Sequence, residues 1–212
     1  SAAVPCEVDV VCAMESLDVS RHLRAKPRPG ALHAVAVDAH PAVWDEAERV
    51  GRCAAMISVD VTVTRIALAL GCIPFPSGGA CATMAYALAK LWGASPIVLV
   101  GQDCAWTPGG QMYADGSAHG DVRACFDGGV AHSDGTTKPA RSHDVLRGAA
   151  YGGVGEAMTG YAMEGQIRWF SDAALEHPTI NATEGGARIE NAVERRLADV
   201  IASLPDVPRP AL

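Results

Sequence analysis

The chain has 212 residues, of which 49% are hydrophobic, and it carries a formal net charge of −7 at pH 7. This composition is typical of a well-buried globular protein and excludes general disorder. The negative charge and the lack of a basic run argue against nucleic-acid partners, and no apolar segment reaches the ~20 residues that a membrane span needs.

Apolar runs alternate with helical patterns in the first part of the chain. The predicted strands cover residues 8–14, 32–37 and 53–59, and the predicted helices cover a short segment after Asp18 and residues 41–50. Residues 61–70 fit both structures, because their first half is β-branched and their second half favours a helix. A helix over residues 80–92 and a buried strand over 96–100 follow.

The pattern changes after residue 106. Residues 107–148 are rich in Gly, Asp, Ser, His and Pro, and we interpret them as either a substrate-covering loop or a passive excursion. Beyond them the pattern predicts a helix over 155–175, a strand over 179–181 and a final helix over 189–204. The alternation predicts an α/β fold in one domain, with a doubly wound, mostly parallel sheet and helices on both faces.

A glycine turn before a helix is the first motif that indicates a binding site. In Ser77-Gly78-Gly79 the serine can cap the helix, and the glycines let a ligand approach the backbone without a Cβ. Free amides and the helix dipole favour an anion such as phosphate at this position. Gln102 and Asp103 then follow the strand over 96–100, at the carboxyl end where open α/β sheets bind ligands.

A second motif follows the same logic near the end of the chain. Asn181, at the end of a predicted strand, can read a base or a sugar because its amide both donates and accepts. Thr183 can cap a helix or contact phosphate, and Glu184 can hold a hydroxyl or a cation. Gly185-Gly186 then leads into the predicted final helix. The purely structural alternative is a strand–turn–helix joint with a capped helix.

The seven cysteines form neither a CxxC pair nor a Cys/His cluster with zinc spacing. We expect reduced, mostly buried thiols in a cytoplasmic protein, because the N-terminus also lacks the regions of a signal peptide. Cys104 lies beside Asp103 and is a candidate pocket residue. A nucleophilic role would need a neighbouring base that the sequence does not identify.

Together the two motifs closely resemble the motility accessory factors (Maf) and the archaeal MptE-like 6-hydroxymethylpterin diphosphokinases of the same family. The residues that carry the resemblance are Ser-Gly-Gly…Gly-Gln-Asp-Cys-Ala-Trp within residues 77–106 and Ile-Asn-Ala-Thr-Glu-Gly-Gly-Ala-Arg-Ile over 180–189. The first segment is also similar, more distantly, to bacterial sialyltransferases that use CMP-sialic acid. The resemblance covers about residues 5–195. It implies a Rossmann-like fold that binds a nucleotide or a nucleotide sugar.

The resemblance also implies site residues. A glycine turn facing the nucleotide phosphate corresponds to Ser77, Gly78 and Gly79, and the polar strand end to Gln102 and Asp103. A Tyr-Ala-x-Gly region corresponds to Tyr113, Asp115 and Gly116, and the second turn to Asn181, Thr183, Glu184, Gly185 and Gly186. Family members usually carry an earlier Gly-x-Gly-Pro-Ser motif, and Glu15 stands where a strand-end Asp is common. We therefore expect one wall of the nucleotide site to be missing, which puts catalysis in question.

Maf proteins are implicated in attaching nonulosonic, sialic-acid-like sugars to flagellin hydroxyls, so the resemblance implies a glycosyltransferase. The candidate bases are Asp103 and the loop histidines His119, His132 and His143, and Glu184 is a further catalytic candidate. A flagellin-like acceptor protein is the implied partner, and the oligomeric state stays open.

The MptE-like branch transfers diphosphate from ATP to a pterin with Mg²⁺. For that reaction Asp103, Asp115 and Glu184 are the candidate metal ligands, and glycine amides would hold the phosphates. A third alternative is a noncatalytic nucleotide-binding remnant that kept the fold and lost the first glycine motif.

Overall fold

The structure is a computed structural model that describes residues 8–23, 27–56, 61–71, 78–107, 109–111, 123–125, 129–131, 137–139 and 146–205. The chain divides after Leu91 into two compact units. Both contain a small parallel sheet and helices, so the α/β class is confirmed. The single-domain organisation stays a prediction.

The first unit contains a parallel sheet in the strand order β1-β2-β3. Its strands are β1 (Val8–Ala13), β2 (Pro27–Ala36) and β3 (Arg52–Met56). Its helices are α1 (Ser20–Leu23), α2 (Pro41–Val50), α3 (Val61–Ala69) and α4 (Cys81–Leu91). The ambiguous segment over 61–70 is therefore a helix.

Apolar packing on two faces holds this sheet. Val35 of β2 packs with Val43 and other apolar residues of α2, whereas the adjacent Ala34 packs with Met84 and Leu88 of α4. Successive strand residues point to opposite faces, so one helix covers each face of the sheet. Burying these side chains stabilises the unit by about 25 cal/mol for each Å² of apolar surface removed from water.

The second unit is built from shorter strands. Its strands are β4 (Ile97–Leu99), β5 (Arg123–Cys125), β6 (Gly129–Ala131), β7 (Thr137–Pro139), β8 (Leu146–Ala149), β9 (Glu156–Thr159), β10 (Thr179–Asn181) and β11 (Val193–Glu194). Its helices are α5 (Tyr161–Glu176) and α6 (Leu197–Ser203), and a 3-10 turn covers Tyr151–Gly153. A parallel sheet has the order β11-β10-β4, β5-β6-β7 form an antiparallel sheet, and β8 pairs with β9.

Most predicted elements are confirmed, but three predictions in the second unit are wrong. The helix predicted over 155–175 begins only at Tyr161, because β9 pairs with β8 in a hairpin. The helix predicted over 189–204 is reduced to α6, because β11 joins the parallel sheet beside β10. Residues 107–148, interpreted as irregular, include three short antiparallel strands and the start of β8. The lid role stays a prediction, because most of residues 107–148 lie outside the described residues.

Among the helices of the described ranges, none combines the length and the apolar character that crossing a bilayer would require.

Candidate functional site

The carboxyl ends of β4 and β10 lie side by side. Leu99 and Asn181 are register partners in the parallel sheet, and the Ala182 amide continues the pairing by donating to the Leu99 carbonyl at 2.9 Å. The polar residues that follow the two strands, Gln102 and Thr183, therefore lie at the same edge of the sheet. The structure thus brings together the end of the first predicted motif and the start of the second.

Thr183 connects the two loops directly. Its Oγ1 accepts a hydrogen bond from the Gln102 amide at 3.1 Å, while its own amide donates to Asn181 Oδ1 at 3.1 Å. The second bond closes an Asx turn, in which a side chain replaces a backbone acceptor. The hydroxyl of Thr183 is therefore a structural link between residues 81 positions apart in sequence.

Gly186 permits the closest approach between the loops. The Ala187 amide donates to the Asp103 carbonyl at 2.7 Å, and a Cβ on Gly186 would lie 2.7 Å from the carbonyl carbon of Asp103. Gly186 also has a φ of 75°, which only glycine adopts without strain. A Cβ on Gly185 would lie 3.9 Å from Asp103 Oδ1, so the exposed carboxylate stands beside this turn.

Both loops contain a strained non-glycine residue. Cys104 has a φ of 44° and Glu184 has a φ of 62°, values that side-chain sterics disfavour. Such residues cost about 1–3 kcal/mol each and cluster at functional sites, where the surrounding contacts hold them in place. The strain supports a functional interpretation of this edge of the sheet.

The carboxylate of Glu184 contacts the start of α6. Its Oε1 accepts from the Leu197 amide at 2.8 Å, and its Oε2 lies 3.9 Å from Arg196 Nε. An acceptor at this position satisfies one of the free amides of the first helical turn. Glu184 therefore has a structural partner, and its catalytic role stays a prediction.

Three residues that the sequence analysis missed, Tyr151, Gly152 and Glu194, complete the site. The Tyr151 hydroxyl lies 3.3 Å from the Asn181 carbonyl and 3.2 Å from the Arg195 carbonyl, and the Gly152 amide donates to Glu194 Oε2 at 3.0 Å. Burial and the carboxylates of Glu194 and Glu184 raise the pKa of Tyr151, so its hydroxyl remains a donor at neutral pH. The signal that could have found this turn is the Tyr-Gly-Gly triplet at 151–153.

Cys104 is buried rather than reactive. Burial and the charge of Asp103 raise the pKa of its thiol to about 11, and its Sγ lies 3.9 Å from Gln166 Oε1. Because the thiolate is the nucleophilic form, this thiol is almost entirely protonated at neutral pH. The site therefore gives no support to a nucleophilic cysteine.

The first glycine motif belongs to the first unit. Gly78 and Gly79 both have positive φ, 65° and 82°, and α4 begins two residues later, so the position before the helix is Ala80. Thr83 Oγ1 accepts from the Ala80 amide at 3.1 Å. By contrast, no helix follows Gly185-Gly186 directly. The next residue, Ala187, instead forms an isolated antiparallel β-bridge with Ala150. The prediction of a second strand–turn–helix motif is therefore wrong.

Several predicted site residues lie outside the described residues, namely Ser77, Tyr113, Asp115, Gly116, His119, His132 and His143. Their roles stay predictions, as does the expectation that the two glycine motifs share one pocket. Within the described ranges, no group of three or more His, Cys, Asp or Glu side chains is arranged to hold a metal ion.

Comparisons with known proteins found no matching family model, no matching curated protein and no matching solved structure. The resemblance to the Maf family therefore depends on the residues quoted above.

Proposed function

We propose that the chain is a Maf-like glycosyltransferase that binds a nucleotide sugar at the carboxyl ends of β4 and β10. One observation carries the proposal: the loops after these strands are joined by the Gln102–Thr183 and Asp103–Ala187 hydrogen bonds. The carboxyl edge of a parallel sheet is where α/β proteins bind such ligands. The proposal includes a Rossmann-like arrangement and a cytoplasmic location, as in the family that the sequence resembles.

Asp103 is the proposed general base. Its side chain is exposed, while its backbone is held by Ala187, so the carboxylate is positioned yet accessible. It would take the proton of an acceptor hydroxyl on a protein such as flagellin. The acceptor oxygen would then bond to the anomeric carbon of a nonulosonic sugar, and the bond from that carbon to the phosphate oxygen would break, releasing CMP.

The contacts of Glu184 favour sugar transfer over Mg²⁺-dependent diphosphate transfer. A magnesium ligand needs a carboxylate oxygen free to face the cation. Here Oε1 accepts from the Leu197 amide and Oε2 lies near the Arg196 guanidinium. Glu184 therefore already has a protein partner near each carboxylate oxygen, and no step of the proposed reaction uses a metal.

A ligand panel followed by a transfer assay tests the proposal. We expect CMP or CDP, without Mg²⁺, to raise the melting temperature of the protein, because ligand at ~100 times its Kd adds about 2.7 kcal/mol of stability. With a CMP-activated nonulosonic sugar, Asp103→Asn should keep donor binding and lower the transfer rate by 10²-fold or more, the usual contribution of a general base.

Asp172→Asn is the matched control, because it removes an exposed carboxylate on α5. It should change neither donor binding nor transfer. Stabilisation by ATP only in the presence of Mg²⁺ would favour the diphosphokinase. Stabilisation by CMP without any transfer would favour the binding remnant, and no response to any nucleotide would refute the proposed site.

A further inference from the structure

Asn181 and Glu194 present their side chains on the same face of the second parallel sheet. The two residues are register partners of β10 and β11, and in a parallel sheet such neighbours point to the same side. The Arg195 amide donates to the Asn181 carbonyl at 3.1 Å, which fixes this register. Both residues are the last of their strands, so the pair lies at the carboxyl edge of the sheet.

Backbone amides hold one polar atom of each side chain. Asn181 Oδ1 accepts from Thr183 at 3.1 Å, and Glu194 Oε2 accepts from Gly152 at 3.0 Å. The first bond requires that the amide nitrogen of Asn181 occupy the other branch of the side chain. The orientations of both groups are therefore set before any ligand binds.

The other polar atom of each side chain is buried without a partner. Asn181 is fully buried, and neither its Nδ2 nor Glu194 Oε1 makes a hydrogen bond to any described part of the chain. A buried polar group without a partner is unfavourable, because it has lost its hydrogen bonds to water. One unsatisfied donor and one unsatisfied acceptor thus stand on neighbouring strands at the proposed binding edge.

We propose that this pair is a subsite for one ribose hydroxyl of the bound nucleotide. A hydroxyl group both accepts and donates, so it can accept from Asn181 Nδ2 and donate to Glu194 Oε1. A carboxylate at the end of a strand that binds a ribose hydroxyl is a general device of α/β nucleotide sites. This inference rests on the proposed function, because it assigns the sugar part of the same nucleotide.

The test compares nucleotides with and without ribose hydroxyls. CMP, 2′-deoxy-CMP and 3′-deoxy-CMP are titrated by calorimetry into the full chain and into Glu194→Gln, and the same series is repeated with ATP. Glutamine keeps an acceptor for the Gly152 amide, so the variant should fold. In the wild-type protein, loss of the bound hydroxyl should weaken binding about tenfold or more, because a hydrogen bond to a charged carboxylate is stronger than one between neutral groups.

In Glu194→Gln the ribonucleotide should bind about tenfold more weakly, whereas the sensitive deoxynucleotide should bind as it does to the wild-type protein. The penalty for the missing hydroxyl should therefore nearly vanish. Glu190→Gln is the matched control, since it changes an exposed carboxylate of the same segment, and it should leave the penalty unchanged.

Three outcomes would overturn the inference. Equal binding of all three nucleotides to the wild-type protein would mean that water alone satisfies the pair. A deoxy penalty that persists in Glu194→Gln would place the hydroxyl elsewhere, and both of these results would leave the proposed function standing. If neither CMP nor ATP binds to the wild-type protein, the proposed function fails and the subsite fails with it.

Discussion

In the described parts of the chain, the two parallel sheets have three strands each but are stabilised in different ways. In the first unit, β1 to β3 are five to ten residues long and apolar side chains of α2 and α4 cover both faces. In the second unit, β4, β10 and β11 have two or three residues each. Hydrogen bonds between the following loops connect two of them, β4 and β10.

This difference is one reason why we place the proposed binding site in the second unit. Apolar packing stabilises a sheet without specifying what happens at its ends, whereas polar links between loops fix the positions of individual side chains. The strained residues Cys104 and Glu184 lie in the second unit, whereas buried side-chain atoms without a hydrogen-bond partner occur in both units, at Asn181 and Glu194 and at His33 of β2. Functional sites are where such local costs are tolerated.

The largest expected effect concerns the approach of the two loops at Gly186. Gly186→Ala places a Cβ against the Asp103 backbone at a φ of 75°, so we expect a loss of about 3 kcal/mol or more in the free energy of unfolding. Urea denaturation measures this change. A loss below about 0.5 kcal/mol would show that the two loops are not in contact as described.

Gly165→Ala is the matched control for that substitution. Gly165 lies inside α5, and a Cβ there meets no atom within 4 Å. Because alanine favours the helix, the control should raise the stability by about 0.5–1 kcal/mol. Because the two substitutions should change the free energy of unfolding in opposite directions, a general effect of adding a methyl group cannot explain the difference.

The first sheet contains a buried histidine that should make the stability of the protein depend on pH. His33 in β2 is fully buried, and burial lowers the pKa of its ring, an effect that the nearby backbone of Arg52 and Ala31 partly opposes. As pH falls below the ordinary value of 6.5, the unfolded chain binds a proton that the folded chain does not. Stability should therefore decrease on acidification, with a slope of up to about 1.4 kcal/mol per pH unit.

His33→Leu tests this assignment, because it removes the titrating group and keeps an apolar side chain in the core. Denaturant midpoints between pH 5 and 7.5 should depend less on pH in the variant than in the wild-type protein. If the two pH profiles run parallel, His33 is not the source of the acid sensitivity.

The smallest expected effect is the loss of one loop connection. Thr183→Val keeps the shape of the side chain but leaves the Gln102 amide without its acceptor at 3.1 Å, so we expect a loss of about 1 kcal/mol. Thr183→Ser, which keeps the hydroxyl that accepts from the Gln102 amide, is the comparison. Equal losses in the two variants would mean that the loop connection contributes nothing specific.

The sequence predicted the first sheet better than the second for a physical reason. Local apolar periodicity defines β1 and the helix over Pro41–Val50, because packing on a nearby helix is encoded within one window of residues. β11 has only two residues and exists because β10 pairs with it. Contacts of this kind connect distant segments, so periodicity could not reveal β11 or the contact between Tyr151 and Asn181.

The candidate site was predictable in part. The end of β4 and the end of β10 carry their polar residues next to apolar strands, and this local pattern placed Gln102, Asp103, Asn181 and Thr183 correctly at strand ends. Glu194 was hidden inside a predicted helix. The hydrogen bond from the Leu197 amide to Glu184 could not be predicted from the sequence either, because it depends on where α6 begins.

Hydrogen–deuterium exchange with and without CMP tests most directly whether a nucleotide binds at the carboxyl ends of β4 and β10. We expect slower exchange in the two loops, over residues 100–105 and 182–187, because a nucleotide at the carboxyl ends of β4 and β10 would suppress their opening. Exchange over residues 27–56 in the first unit should not change. Slower exchange confined to the first unit, with the two loops unaffected, would show that the nucleotide does not bind at the ends of β4 and β10.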